Sequence, residues 1–220
     1  MLDPQPSVAV RLAVSIDDLR VASTVRERAY GHHDPGIGRQ LGQVEALDAA
    51  EGVAVLLCED RDSGECLGTL RVQTSFRGPL QLEQSVELPE RLAGRPRAQI
   101  ARLAVLPGAC AHVKLSLMRD SYQYCLAMGV RWMVIGARSA ALIRGYRSLG
   151  FVDVFDDGVW RPLASAGGLP HRILTLDVAH ADDDWRATRN RLYAFMTGRS
   201  VEPVPAGDAP VVSPSLSAAG

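Results

Sequence analysis

The chain has 220 residues, 47% of them hydrophobic, and its 24 basic residues against 25 acidic ones give a formal charge of −1. That is enough chain for one domain with a substantial core, and a balanced charge offers no global case for a nucleic-acid partner. No apolar run approaches the roughly 20 residues that span a bilayer, so no transmembrane segment is expected.

The start MLDPQPSVAV has an early Asp, no basic residues and no long apolar core, unlike a signal peptide. Cysteines 58, 66, 110 and 125 show no metal-ligand spacing, so no metal site is expected. Without an export signal, reduced thiols in a cytoplasmic protein are the expectation.

In chain order, VAVRLAV (8–14) alternates as a strand does. Ser15 is placed to cap a helix whose first turn carries Asp17 and Asp18 and whose apolar stripe is Leu19, Ala22, Val25 and Ala29. GHHDPGIGRQLG (31–42) breaks the pattern with Gly and Pro and reads as a loop. GVAVLLCED (52–60) and CLGTLRVQTS (66–75) read as strands joined by the turn-rich RDSGE. PRAQIARLAVL (96–106) is the next strand, and a helix is expected from about 111 to 128. VRWMVIGA (130–137) is apolar throughout, as a strand buried on both faces would be.

A helix over 138–149 then ends at Gly150, and FVDVF resumes as strand. HRILTLDV (171–178) is the last strand, and DDDWRATRNRLYAFM (182–196) a terminal helix. From residue 199 to 220 Pro, Ala, Gly and Ser dominate, the composition of a disordered tail behind a domain spanning 1–198. The order predicts an α/β fold with a mixed central sheet and helices on both faces.

GARSAALIRGYRSLGFVDVF (136–155) places Leu142, Tyr146 and Leu149 on one helix face before a glycine cap and a strand. This Tyr, then Leu-Gly-Phe, resembles the C-terminal motif of the GCN5-related N-acetyltransferase (GNAT) superfamily. A narrower resemblance rests on Arg26 with Tyr30, on LGTLRVQTS with Arg71, and on AQIARLAV with Arg102. These segments occur in the order seen in acyl-homoserine-lactone (autoinducer) synthases. LEQSVELP, SYQYCLAMGVRWMVIGAR and WRATRNRLYAFM are closer still to N-acyl amino acid synthases of the long-chain N-acyl tyrosine synthase type. Together the segments cover about residues 10–198.

The resemblance implies an acyltransferase with a GNAT-like fold. It would move a fatty acyl group from the phosphopantetheine thioester of acyl carrier protein to the amine of an amino acid, with no separate cofactor. The loop Pro107–His112 has one glycine, where coenzyme A-dependent members hold a glycine-rich pyrophosphate cradle. A carrier protein presents a single phosphodiester and needs no such cradle. Ala111, His112 and Lys114, at the following helix N-terminus, are expected near that phosphate.

Between 108 and 150 six cations (Lys114, Arg119, Arg131, Arg138, Arg144 and Arg147) face Asp120 alone. That basic stretch suits an acidic carrier, with Arg144 and Arg147 as expected contacts, or it solvates two helices. The main chain of the strand holding Leu103 and Val105 is expected to hold the thioester. The resemblance also places Arg26, Tyr30, Arg71 and Tyr146 at the substrate, and Arg102 in the functional core. A buried Arg71 needs a partner, either the acceptor's carboxylate or an ion pair with Asp34, Glu45 or Asp48.

The lactone synthases have a glutamate three residues before the arginine matching Arg102, proposed to deprotonate the amine, and this chain has Gln99 there. An amide is no general base, so a water chain to another group must assist, or the rate must climb with pH towards the amine's own pKa. Residues 99 and 102 also face opposite sides of a regular strand, and only a β-bulge brings both to one site. An acetyl-coenzyme A-dependent N-acetyltransferase and a non-catalytic acyl-binding protein of the same fold remain alternatives.

Overall fold

A computed structural model describes residues 8–198; the expected tail of 199–220 lies outside them. The strands are β1 (Val8–Leu12), β2 (Val53–Asp60), β3 (Cys66–Thr74), β4 (Arg97–Val105), β5 (Trp132–Ala137), β6 (Val152–Asp153), β7 (Arg161–Leu163) and β8 (Leu169–Asp177). They form one sheet in the order β1-β2-β3-β4-β5-β8-β6, with β7 also pairing β8. Among the described strands only β4 and β5 pair in parallel. The connection between them is the long helix α4 (Ala111–Ala127), as a parallel neighbour requires.

Helices cover both faces. On one, α4, α5 (Ala140–Ser148) and α6 (Ala181–Ala187) pack on Leu56, Leu70, Ile100, Ile135 and Leu174. On the other, α1 (Ile16–Gly31) lays Leu19 and Ala22 on Val55 and Leu57, and Val25 on Ala104. Ser15 caps α1 in a capping box with Asp18.

Three expectations need correction. Residues 31–42 are not all loop, because α2 (Pro35–Leu41) forms there. Asp34 caps it by accepting from the N–H groups of Gly36 and Ile37, and Pro35 occupies the first turn, where its missing N–H costs nothing. The breakers in this stretch therefore start a helix. The terminal helix is interrupted between α6 and α7 (Tyr193–Thr197), where Arg189 adopts a left-handed φ of 51°. FVDVF contributes only the two residues of β6.

The stretch 76–95, to which periodicity assigned nothing, holds a 3₁₀ turn (Gln81–Gln84) and α3 (Glu90–Ala93). It buries Leu80, Leu82, Val86, Leu88 and Leu92 against Val134 and Ile173, completing the α1-side cover. Gly150 explains the Leu-Gly-Phe motif physically. Its φ is 91°, and a Cβ there would lie 2.7 Å from Trp185 Nε1, which donates to the Leu149 carbonyl.

Candidate active site

Two departures from a regular ladder open the sheet. β4 pairs with β5 only from Arg97 to Ile100; beyond that point β5 continues with β8, and β4 has no partner on its β5 side. The register between β3 and β4 also shifts between Thr69 and Arg71, where Arg102 takes a φ of 53°. A left-handed non-glycine residue costs on the order of 1–3 kcal/mol, so its surroundings must impose it.

This bulge reverses the side-chain alternation. Ile100, Leu103 and Val105 pack towards the α4 face, whereas Ala104 and Leu106 pack with Val25 on the α1 face. Gln99 and Arg102 therefore reach the same side, as the sequence required of a bulge.

A cavity of about 530 Å³ occupies the opening, in the range of small-molecule sites. Leu103, Val105, Lys114, Leu142 and Tyr146 line it towards α4 and α5. Towards α1 and α2 the walls are Tyr30, Leu41, Gln81, Gln99, Arg102 and His171. It thus joins the two faces of the sheet through the gap between β4 and β5.

The Leu106 N–H donates to the Leu67 carbonyl, so the antiparallel alternation turns the Val105 N–H away from β3 and towards the gap, while Leu103 lies within the bulge. Tyr30 fixes the bulge from α1 by donating to the Leu103 carbonyl at 3.2 Å.

Beneath the α1-side wall lies a cluster of three guanidiniums and two carboxylates. Arg26, fully buried, grips Asp48 through both terminal nitrogens at 2.5 and 3.1 Å. Arg71, 1% exposed, donates to Glu45 at 3.1 Å, to Asp48 at 3.2 Å and to the Gln81 side chain at 2.8 Å. Arg102 holds Glu45 with Nε and Nη2, each at 2.6 Å, and Nη2 also donates to the Ser165 carbonyl. Burial pushes the Glu45 carboxyl up, but Arg102, with Arg71 and Arg26 behind it, outweighs this and holds it below its usual range.

Two of the substrate-facing expectations change. Arg26 and Arg71 do not line the cavity; they form the ion-pair alternative, with Glu45 and Asp48 as partners. Asp34 is not among those partners, being spent on capping α2. Arg102 does line the cavity, and its Nη1 has no hydrogen-bond partner among the described residues. Gln99 lines it too, but its carbonyl accepts from the Leu82 N–H at 2.8 Å, so it pins the 80–84 turn to β4.

Tyr146 is buried at the α5 wall with the Lys114 amino group 5.1 Å from its ring centre. Burial holds its hydroxyl well above the usual phenol pKa, and it has no hydrogen-bond partner among the described residues. His112 and Ala111 are exposed at the start of α4, where His112 packs edge-on to Phe195.

The six-cation stretch is thinner in space than in sequence. Arg119 pairs with Asp120, Arg131 with Asp177, and Arg147 with Asp153. Lys114, Arg138 and Arg144 keep no carboxylate within ion-pair distance among the described residues, and the first two line the cavity. Among the described residues no Asp or Glu lines it.

Neither Cys110 nor Cys125 lines it, and all four cysteines are free. Sequence reasoning missed Gln81, Ser165 and His171. Gln81 and Ser165 lie in turns without periodicity, and His171 was read only as a strand residue.

No protein-family model matches the sequence, and neither does any curated protein. Among solved structures, the chain is similar to FeeM, an N-acyl amino acid synthase from uncultured soil microbes. The TM-score is 0.63 at 14% identity, covering 87% of this chain and 99% of FeeM. It also matches the acyl-homoserine-lactone synthase LasI, with a TM-score of 0.53 at 16% identity over 78% of this chain and 89% of LasI. The ribosomal-protein-S18-alanine N-acetyltransferase from Escherichia coli gives 0.52 at 18% identity over 78% and 94%. Splayed parallel strands, bulge and helix-covered mixed sheet together give this chain the acetyltransferase-like fold.

Proposed function

We propose that the chain is an N-acyltransferase that joins a fatty acyl thioester, delivered on acyl carrier protein, to the amine of an amino acid. The observation that carries this reading is the cavity's charge. Lys114 and Arg138 line it with no carboxylate among the described residues, beside a cluster in which Arg102 and two further guanidiniums meet only two carboxylates. A site with that excess of positive charge favours an acceptor bearing a carboxylate.

The unpartnered Nη1 of Arg102 would take that carboxylate. The thioester would enter from the α4 side, its carbonyl polarised by the Val105 N–H. Tyr146, kept protonated by burial, would supply a proton to the departing thiolate. Most of the gain would come from holding amine and thioester together across the gap.

Lys114 and Arg138 on the cavity wall, with Arg144 exposed on α5, suit an acidic carrier, and the 107–112 loop offers little to a pyrophosphate. Acyl carrier protein thioesters should therefore be turned over much faster than matching coenzyme A thioesters. The advantage should shrink as salt rises, because exposed charges are screened within about 10 Å at 0.1 M. Steady-state rates with both donors at low and high salt check this; equal rates at low salt would refute the carrier.

A further inference from the structure

No carboxylate lines the cavity among the described residues and Gln99 is an amide, yet an attacking amine must lose protons. One wall residue has the right open valence. His171, 7% exposed at the start of β8, places Nδ1 at 2.7 Å from the Leu169 carbonyl. A carbonyl only accepts, so Nδ1 carries the hydrogen. In the neutral ring Nε2 is then a bare lone pair, and it has no hydrogen-bond partner among the described residues.

β5 comes close because residue 136 has no side chain: a Cβ on Gly136 would lie 3.2 Å from His171 Cδ2, the carbon bonded to Nε2. The imidazole therefore stands at the β5 edge of the gap, on the same α1 side of the cavity as Arg102.

From this geometry we infer that His171 is the general base of the acyl transfer, accepting the acceptor amine's proton at Nε2. The inference rests on the acyltransferase reading and assigns its missing proton acceptor. The ammonium gives one proton to Nε2, which holds it through the attack and releases it to solvent once the product has formed. The freed amine attacks the thioester carbonyl, forming the C–N bond. As the tetrahedral intermediate collapses, the C–S bond breaks and the nitrogen's second proton passes through solvent to Tyr146, replacing the one Tyr146 gives the thiolate. The thiolate leaves as a thiol with a proton supplied through Tyr146.

The surroundings keep the ring neutral. Burial pulls its pKa below the usual value, the Leu169 carbonyl opposes, and the charge of Arg138 adds to the lowering. The other charged groups on packed elements are already paired: Arg161 on β7 with Asp157, Arg172 on β8 with Asp153, and Arg102 on β4 with Glu45.

The test has two arms. In the wild type, kcat/KM for the acceptor should be flat from neutral pH to the amine's pKa and fall only below the ordinary His value of about 6.5. This plateau replaces the climb that Gln99 alone led one to expect. His171→Gln should be ~10²–10⁴-fold slower at pH 7. Its rate should rise tenfold per pH unit towards the amine's pKa, and added imidazole should partly rescue His171→Ala.

Independently of turnover, ¹⁵N NMR at pH 7 should show the Nδ1–H tautomer with Nε2 bare. A charged or Nε2–H ring would overturn the inference. An active wild type whose profile His171→Gln leaves unchanged would overturn the base alone. A folded wild type inactive with every acceptor would overturn the acyltransferase reading and the base with it.

Discussion

Asp48→Asn should cost about 3–5 kcal/mol, the price of leaving buried charge uncompensated. Arg26 is fully buried and both its terminal nitrogens rest on Asp48, and Arg71 leans on the same carboxylate. With an amide at 48, three guanidiniums would face Glu45 alone, and one amide oxygen cannot receive the Arg26 fork.

Since folded domains are stable by only about 5–15 kcal/mol, a large share of the margin would go. Urea unfolding should show a large fall in midpoint with an unchanged slope. Asp17→Asn is the control. It breaks an exposed pair with Arg20 and should cost under about 1 kcal/mol. If Asp48→Asn were as mild as the control, the cluster would not be a closed ion-pair network.

The same cluster gives acid sensitivity. Glu45 titrates lower in the folded chain than in the unfolded one. Its contribution is therefore complete above the unfolded carboxylate pKa and is lost as pH falls through the folded value.

Arg102→Gln should instead damage catalysis while sparing the fold. Glu45 keeps Arg71 at 3.1 Å and Arg26 at 3.6 Å when Arg102 is removed, so it is not stranded. What disappears is the free Nη1 facing the cavity. A hydrogen bond to a charged group contributes about 1.5–3 kcal/mol, which is roughly 10- to 150-fold in kcat/KM for the acceptor. The donor's KM should not move, and an amine lacking a carboxylate should be insensitive to the change. Equal losses with both kinds of amine would mean that Arg102 shapes the bulge without binding the acceptor.

The regular framework was legible because local rules and tertiary packing agree there. Ser15 caps α1, and the apolar run 130–137 becomes a strand deep in the sheet. Legibility failed where one residue type has two uses. Asp34 and Pro35 break a pattern and also start a helix. Arg189 carries no sequence mark of its left-handed backbone.

At the site, the bulge was only a condition set by the spacing of Gln99 and Arg102, because register depends on two strands rather than one. The arginines were found, but which of them faces the cavity was not. That depends on Glu45 and Asp48, which come from a turn between α2 and β2. His171 was invisible for a related reason. Its role arises from Leu169 fixing its tautomer and from Gly136 making room beside it.

The central claim is that one cavity brings an acyl thioester to a carboxylate-bearing amine. Its most direct test is incubation of the purified chain with a fatty acyl thioester of acyl carrier protein and a pool of the twenty amino acids, read by mass spectrometry. The account predicts N-acyl amino acid products formed in step with free carrier thiol, and none from matched amines without a carboxylate. Thioester left intact by a folded protein, or acylation of carboxylate-free amines at equal rates, would contradict it.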